Sequence, residues 1–196
     1  MFHNNPKNGV RMKTIKIALV FVLFVLSFAS FAKSAFSYDY SGVGFGSTEI
    51  DGYSGSFDAT EIASSFSIND TYYVSVNIIL DRESGVDIKA TTYSIGSHYA
   101  FSDTTDLISQ LSLIDVNIGS SSLDGTNTSI SIINKINENI NVSAGFNYLI
   151  LEGDSEFDFN FGVSYEMPIT NKLSLGASYA ASDDTSSTLI GLIYNY

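Results

Sequence analysis

The stretch FDFNFGVSYEM, residues 157–167, alternates apolar and polar side chains without interruption. Its apolar positions are Phe157, Phe159, Phe161, Val163, Tyr165 and Met167. Because successive side chains of a β-strand point to opposite faces, this period of two predicts a strand with one oily face and one polar face. Globular strands usually have about five or six residues, whereas a strand that crosses a bilayer at a tilt needs roughly 9–11. The stretch therefore predicts a membrane-crossing strand.

The same alternation recurs from residue 38 to the last residue, and no convincing helical pattern follows Ser37. Nine segments rich in Asn, Asp, Gly, Ser or Glu interrupt it, so we expect nine turns and ten strands. The predicted strands are residues 38–48, 53–68, 71–80, 86–101, 105–118, 128–136, 139–151, 156–167, 172–181 and 187–196. Eight strands is the alternative count, because the first, fifth and sixth segments are weakly patterned. The longest predicted loop is IGSSSLDGTN, residues 118–127.

Alternation alone does not separate a membrane barrel from a soluble β-sandwich, which turns its apolar face inward. Aromatic residues favour the barrel, because they gather at the strand ends at two levels, as in the girdles of membrane barrels. One level holds Phe66, Tyr72, Tyr99, Phe101, Tyr165, Tyr194 and Tyr196, and the other holds Tyr53, Phe57, Tyr148, Phe157 and Tyr179. The last four strands also place Gly145, Gly162, Gly176 and Gly191 on the polar face, where a narrow lumen needs small residues. The predicted fold is an all-β, transmembrane, antiparallel up-and-down β-barrel.

The first 35 residues contain no acidic residue and have the layout of a secretory signal. Residues 12–35 read MKTIKIALVFVLFVLSFASFAKSA, with two lysines, an apolar run and then small residues at a cleavage site. The apolar run is shorter than the roughly 20 residues of a transmembrane helix. We expect cleavage to leave a mature chain that begins between Lys33 and Phe36, with the barrel over residues 36–196. Residues 1–11 are polar and patternless, and we interpret them as a misassigned upstream segment.

The charge of the exported part excludes some partners. Only Arg82, Lys89, Lys135 and Lys172 stand against all 21 acidic residues. Such an acidic chain is unsuited to binding nucleic acid or an anionic surface. The chain has no cysteine, so no disulfide can stabilise it despite its predicted export.

The C-terminal segment TLIGLIYNY, residues 188–196, carries a family resemblance. It resembles the insertion signal of bacterial outer-membrane barrels, with Tyr196 as the terminal aromatic, Tyr194 two residues earlier and Gly191 five residues back. Leu189 departs from that pattern, which prefers a polar residue there. With segments such as SFSINDTYYVSV and YAFSDTTDLISQLSL, the chain resembles small outer-membrane β-barrels of Gram-negative bacteria, the porin-like superfamily with OmpA- and OmpX-type barrels.

The resemblance implies a location in the bacterial outer membrane, periplasmic termini, short periplasmic turns and longer external loops. It also implies contact with outer-membrane lipids, lipopolysaccharide and the barrel-assembly machinery as partners. It does not fix an activity, because barrels of this type include adhesins, enzymes, channels and structural proteins. Nor does it fix the oligomeric state.

Chemistry-bearing residues are few. His98 is the one histidine of the predicted mature chain, and we interpret it as a polar residue near the periplasmic end rather than a catalytic base. The acidic clusters Asp81/Glu83, Glu152/Asp154/Glu156 and Asp183/Asp184 lack calcium-loop spacing, and we interpret them as a solvated rim. Five charged residues are predicted to face the lumen, with Lys89 paired to one of the acids: Asp58, Asp87, Lys89, Asp158 and Glu166.

We therefore expect no catalytic residue, cofactor site or metal site. The favoured hypothesis is a non-enzymatic outer-membrane barrel with an occluded lumen and a structural role in the envelope or a role mediated by its loops. A narrow porin-like channel for small solutes is the alternative, and a surface enzyme that modifies lipid or peptide is less favoured.

Overall fold

The computed structural model describes residues 34–52, 55–83, 86–152 and 154–196. The predicted upstream segment and nearly all of the predicted leader lie outside these residues. The described chain folds into ten strands: β1 (Tyr40–Ile50), β2 (Ser56–Ser67), β3 (Tyr72–Glu83), β4 (Val86–Ser102), β5 (Thr105–Ile118), β6 (Ser121–Lys135), β7 (Ile140–Leu151), β8 (Asp154–Pro168), β9 (Leu173–Ala181) and β10 (Thr185–Asn195). Across the described residues, no helix is long and apolar enough to span a membrane.

Each strand pairs with the next in antiparallel fashion, and β1 pairs with β10 to close the barrel. The closing register runs from Tyr40 opposite Asn195 to Ile50 opposite Thr185, so the full length of β1 is paired. Because lipid offers no hydrogen bonds, closure is what allows a sheet to cross a membrane without an unpaired edge. The predicted ten-strand antiparallel barrel is confirmed.

The two ends of the barrel differ in their turns. The terminal rim carries both ends of the described chain and the turns at residues 68–71, 103–104, 136–139 and 169–172, and the far rim carries the turns at 51–55, 84–85, 119–120, 152–153 and 182–184. Three terminal-rim turns share one design, in which a side-chain oxygen accepts two backbone N–H groups. In the turn at 136–139, Asn137 Oδ1 accepts from the N–H groups of Asn139 and Ile140, both at 2.9 Å. Asn69 and Thr170 act in the same way in their turns.

The predicted long loop at residues 118–127 is wrong. β5 continues to Ile118 and β6 begins at Ser121, which leaves Gly119 and Ser120 as the turn. Gly119 has a φ of 58°, a conformation that glycine adopts without strain, so the chain can reverse within two residues. The first residues of β6, 121–127, are mostly small and polar and show no apolar alternation, so the sequence alone indicates a loop there. As a result, every connection in the described barrel is short.

The outer face of the barrel is apolar and aromatic, as predicted. The most exposed large residues include Phe101, Phe157 and Leu113, which are 66%, 63% and 62% exposed. Phe57 differs from the prediction, since it points into the lumen and is buried, while its neighbour Asp58 lies on the outer face. Tyr53, assigned to the same aromatic level, lies outside the described residues.

The lumen is unevenly filled. Inward positions of β2–β7 near the far rim carry large apolar side chains: Phe57, Ile79, Ile88, Ile114, Val116, Leu123 and Leu149. The opposite wall, formed by β1 and β8–β10, carries mainly glycine and serine: Gly42, Gly44, Gly46, Gly162, Ser164, Gly176, Ser178 and Gly191. A cavity of about 190 Å³ lies along this small-residue wall. Large side chains thus fill the lumen along β2–β7, and the cavity remains along the wall of glycine and serine.

Candidate functional site

The segment at residues 34–39 enters the barrel at the terminal rim before β1 begins, and we call it the N-terminal plug. Its Tyr38 ring stacks on the imidazole of His98, with ring centroids 4.1 Å apart, and on the ring of Tyr73 at 4.9 Å. All three rings are buried. Three flat rings therefore lie together across the terminal end of the lumen.

Asp106 lies beside this stack at the start of β5 and is 0% exposed. Its Oδ2 accepts hydrogen bonds from the hydroxyl of Ser34 at 2.6 Å and the hydroxyl of Tyr38 at 2.9 Å. The Nδ1 atom of His98 lies 3.5 Å from the same oxygen. Burial, as the larger cause, and the Asp106 carboxylate, as the next, raise the pKa of the Tyr38 phenol. The hydroxyl therefore stays protonated and donates its hydrogen bond to Asp106. Asp106 thus ties the N-terminal plug to the barrel wall.

Two further contacts position the plug. Tyr73 of β3 lies opposite Gly96 of β4, and a Cβ atom at Gly96 would stand 2.3 Å from the Tyr73 ring, so only glycine leaves room for the ring there. At the rim, Asp39 Oδ1 accepts from the N–H of Ser67 at 2.6 Å, and the Asp39 carbonyl accepts from the N–H of Tyr196 at 3.2 Å. The plug is therefore attached to β2, β5 and the C-terminus.

The cluster contains a serine, a histidine and an aspartate, but not in the order that activates a nucleophile. An activated serine donates its hydroxyl to a histidine, which the carboxylate orients from the other side. Here Ser34 donates to Asp106 instead, and the N–H of Phe36 donates to Ser34 Oγ at 3.0 Å. The face of His98 is covered by Tyr38. This geometry suits a structural tie and offers no nucleophile to a substrate.

The predicted lumen charges fall into two groups. Asp158 and Glu166 of β8 lie on the inward face, in register with the inward Asn147 of β7 and Gly176 of β9. Asp58, Asp87 and Lys89 lie on the outward face instead, in register with outward residues of β1 and β3. Asp87 Oδ1 binds Arg82 Nε at 2.6 Å, so its ion-pair partner is an outward arginine and not Lys89.

For Asp87 and Lys89, the difference arises in β4. The register of β4 runs unbroken with β3 from Val86 to Ser97 and with β5 from Ile88 to Ala100, and its irregularity lies between Ala100 and Ser102. One phase along the strand forces Asp87 and Lys89 to the outside near the far rim, where a charge is close to water and costs little.

Glu61 of β2 is an inward carboxylate that sequence reasoning missed. Its Oε1 accepts from Asn77 Nδ2 at 2.8 Å. It borders the cavity along the small-residue wall, with Glu166, and also a second cavity of about 410 Å³ beneath Tyr38. Glu61 lies on the same face of β2 as Phe57, four residues along the strand. Its inward direction could therefore be predicted only if Phe57 were placed inward, whereas the sequence predicts Phe57 in the outer aromatic girdle.

At the far rim, carboxylate oxygens of Glu156, Asp158 and Asp184 lie within 4.8 Å of one another. Glu156 is exposed and Asp158 is partly exposed. Carboxylates this accessible are screened by water, so the group is a polar edge of the barrel rather than a built metal site.

The predicted insertion-signal residues lie where the barrel closes. Gly191 faces Gly44 of β1, and a Cβ at Gly191 would stand 2.1 Å from the carbonyl oxygen of Val43. Tyr194 is outward, with Lys172 Nζ 5.7 Å from its ring centre. The ring of Tyr196 stacks on Phe66 at 5.3 Å and meets Tyr194 edge-on at 5.6 Å.

Comparison with solved structures agrees with this architecture. The chain is similar to the beta domain of the Bordetella autotransporter BrkA, with 8% sequence identity, a TM-score of 0.50, and coverage of 80% of this chain and 98% of that one. The chain has the fold of an outer-membrane β-barrel. The KdgM porin is also similar, with 10% identity, a TM-score of 0.47, and coverage of 79% and 99%. Neisserial surface protein A follows with 12% identity, a TM-score of 0.33, and coverage of 80% and 95%. No protein-family model and no curated protein sequence matches the chain.

At such low identities the likeness concerns the fold of the barrel alone. The N-terminal plug is therefore argued from this chain's own contacts. Sequence reasoning singled out His98 but not Asp106 or Tyr38, which lie in the predicted strands 105–118 and 38–48. No local pattern marks either residue, because Tyr38 and Asp106 are 68 positions apart and meet only when the barrel closes.

Proposed function

We propose that this protein is a non-enzymatic barrel of the bacterial outer membrane, whose lumen is closed at the periplasmic end by its own N-terminal plug. The observation that carries the proposal is the stack of Tyr38, Tyr73 and His98 across the terminal end of the lumen. Large inward side chains near the far rim add a second barrier. A barrel closed at two levels contributes to the envelope as a stable wall element rather than as a passage.

The rims support a structural role over a protein-binding role. The longest far-rim connection in the barrel is residues 51–55. A standard protein interface needs about 800 Å² from each partner, which turns this short do not supply. On this proposal the partners are outer-membrane lipids and lipopolysaccharide around the barrel, and the barrel-assembly machinery during insertion.

A narrow channel is the second candidate, and the two lumen cavities favour it. Glu61 and Glu166 border the cavity along the small-residue wall, and Glu61 also borders the cavity beneath Tyr38. Carboxylates that line a pore select cations. If the plug moved, the remaining path would be acidic and would favour cations over anions.

Conductance in planar bilayers tests the proposal. Refolded mature protein is expected to give no large, steady conductance steps, because the rings fill the terminal end of the lumen. A matched variant without residues 34–38 is expected to give at most small steps that favour cations, because the large side chains near the far rim remain. Large, steady steps from the unmodified protein would contradict the closed barrel and support the channel.

A further inference from the structure

We propose that Asp106 is the binding site for the α-ammonium group of the exported chain, so that removal of the leader supplies the positive charge that completes the plug. The inference rests on the proposed export and cleavage, but not on whether the lumen conducts. It follows from the burial of Asp106, from its partners and from the place where the new N-terminus would arise.

The first step is an unpartnered oxygen. Asp106 is fully buried, and its Oδ2 atom receives two neutral hydroxyl groups and lies 3.5 Å from His98 Nδ1, whereas its Oδ1 atom has no hydrogen-bond partner among the described residues. A buried carboxylate is strongly unfavourable unless a positive charge and further hydrogen bonds compensate it. The unpartnered oxygen marks a place for one more donor.

Among the described residues, no arginine or lysine forms an ion pair with Asp106. Arg82 pairs with Asp87, Lys89 lies on the outer face, Lys172 lies over the ring of Tyr194, and Lys135 lies on the inward face of β6 at the same rim without an ion pair. His98 is the nearest basic side chain, and its Nδ1 lies 3.5 Å from Oδ2, so it leaves Oδ1 unpartnered. The imidazole stacks on Tyr38 instead of turning toward Oδ1.

The predicted cleavage would create an ammonium group close to Asp106. If the mature chain begins at Ser34, its α-nitrogen belongs to the residue whose hydroxyl is 2.6 Å from Asp106. If the chain begins at Phe36, its α-nitrogen is the atom that now lies 3.0 Å from Ser34 Oγ, and the loss of Ser34 frees the space beside the carboxylate. In the uncleaved chain the same position holds only a neutral peptide group.

An α-ammonium has three donors and can reach both carboxylate oxygens. Pairing it with Asp106 would satisfy the buried carboxylate and hold the first residue of the chain inside the lumen. Before cleavage, Asp106 lacks this partner, and the plug is held by the stacked rings, the hydroxyl bonds and the contacts of Asp39 at the rim. The plug is thus expected to tighten only after the leader has been removed.

The test compares four refolded chains that begin at the residue found by N-terminal sequencing of the exported protein. The α-amine is free or acetylated, and position 106 is unchanged or carries Asp106→Asn. Acetylation is expected to lower the urea midpoint of unfolding in the unchanged chain and to have little effect in Asp106→Asn, because the partner charge is already gone. Asp103→Asn is the matched control, since Asp103 is an exposed carboxylate in the turn at 103–104 of the same rim and its substitution should leave the effect of acetylation intact.

A second measurement does not depend on how well the variants fold. In the folded, unchanged chain, an amine-reactive probe should modify the α-amine roughly tenfold or more slowly than in the same chain unfolded in urea, because a buried group reacts only when the plug opens. Equal rates of α-amine labelling in the folded and unfolded chains would overturn the proposal. So would an equal effect of acetylation with and without Asp106→Asn, or an exported chain that still begins at Met1 or Met12.

Discussion

Gly96 is the residue on which the N-terminal plug depends most directly. Gly96 lies within β4 rather than in a turn. A glycine is required there because the ring of Tyr73 occupies the space where a Cβ atom would stand. Tyr73 in turn supports Tyr38. A single small residue in the wall therefore sets the position of the rings in the lumen.

We predict that Gly96→Ala displaces Tyr73 and destabilises the barrel, by about 1–3 kcal/mol, as expected for overpacking. The urea midpoint of the refolded protein, measured by the gel-mobility difference between folded and unfolded chains, gives the change. Gly44→Ala is the matched control, because its Cβ would meet Leu189 at an ordinary 3.6 Å on the small-residue wall. Equal effects of the two substitutions would contradict the importance of the contact between Gly96 and Tyr73.

Tyr196 gives the second prediction at this scale. We expect Tyr196→Asp to reduce the amount of folded barrel in the outer membrane, because it removes the stack on Phe66 and puts a charge on the outer face, at up to about 2–4 kcal/mol depending on depth. The amount of heat-modifiable protein measures the effect. Tyr196→Phe keeps the ring and should assemble normally, whereas normal assembly of Tyr196→Asp would refute the role of the terminal aromatic.

The terminal-rim turns show how a strand connection is specified by one side chain. We predict that Asn137→Ala lowers the free energy of unfolding, because each lost hydrogen bond contributes about 0.5–1.5 kcal/mol and Asn137 accepts two. Glu138→Ala in the same turn is the control, since Glu138 is exposed and none of the hydrogen bonds among the described residues of this turn involves its side chain. Urea titration of the three proteins provides the comparison, and equal midpoints for Asn137→Ala and the unchanged chain would contradict the design.

Most strand bounds could be predicted from sequence, even those of the weakly patterned β5, but the start of β6 and the faces of some charged residues could not. β7, β8 and β9 were placed within two residues at each end because apolar residues occupy every second position. The predicted start of β6 is seven residues too late, because residues 121–127 contain few apolar side chains. The predicted inward direction of Asp87 and Lys89 in β4 is also wrong. In both cases the structure depends on pairing with a neighbouring strand, which the sequence of one strand does not determine.

At the scale of the whole molecule, closure of the barrel creates features that no single segment contains. The Asp106 cluster joins the segment before β1 to β4 and β5, and the cavity along the small-residue wall requires β1, β2, β8, β9 and β10 together. Sequence reasoning correctly placed glycines on the inward face of the last strands. It could not show that the large apolar residues would lie on the opposite wall, because their positions depend on the registers of all ten strand pairs together.

The orientation of the barrel in the membrane gives the last prediction. The resemblance to outer-membrane barrels implies that the terminal rim faces the periplasm, which places the turn at 119–120 outside the cell. We predict that intact cells treated with a site-specific protease cut a short recognition sequence inserted between Gly119 and Ser120, but not the same sequence inserted between Asn137 and Glu138. The unmodified barrel should resist external protease, because its far-rim connections have only two to five residues. As a folding control, each variant must first show the gel-mobility shift of a folded barrel. As a cleavage control, the protease should cut both insertions after the cells are lysed. Cleavage only at Asn137–Glu138 in intact cells would reverse the orientation and would place the N-terminal plug at the cell surface.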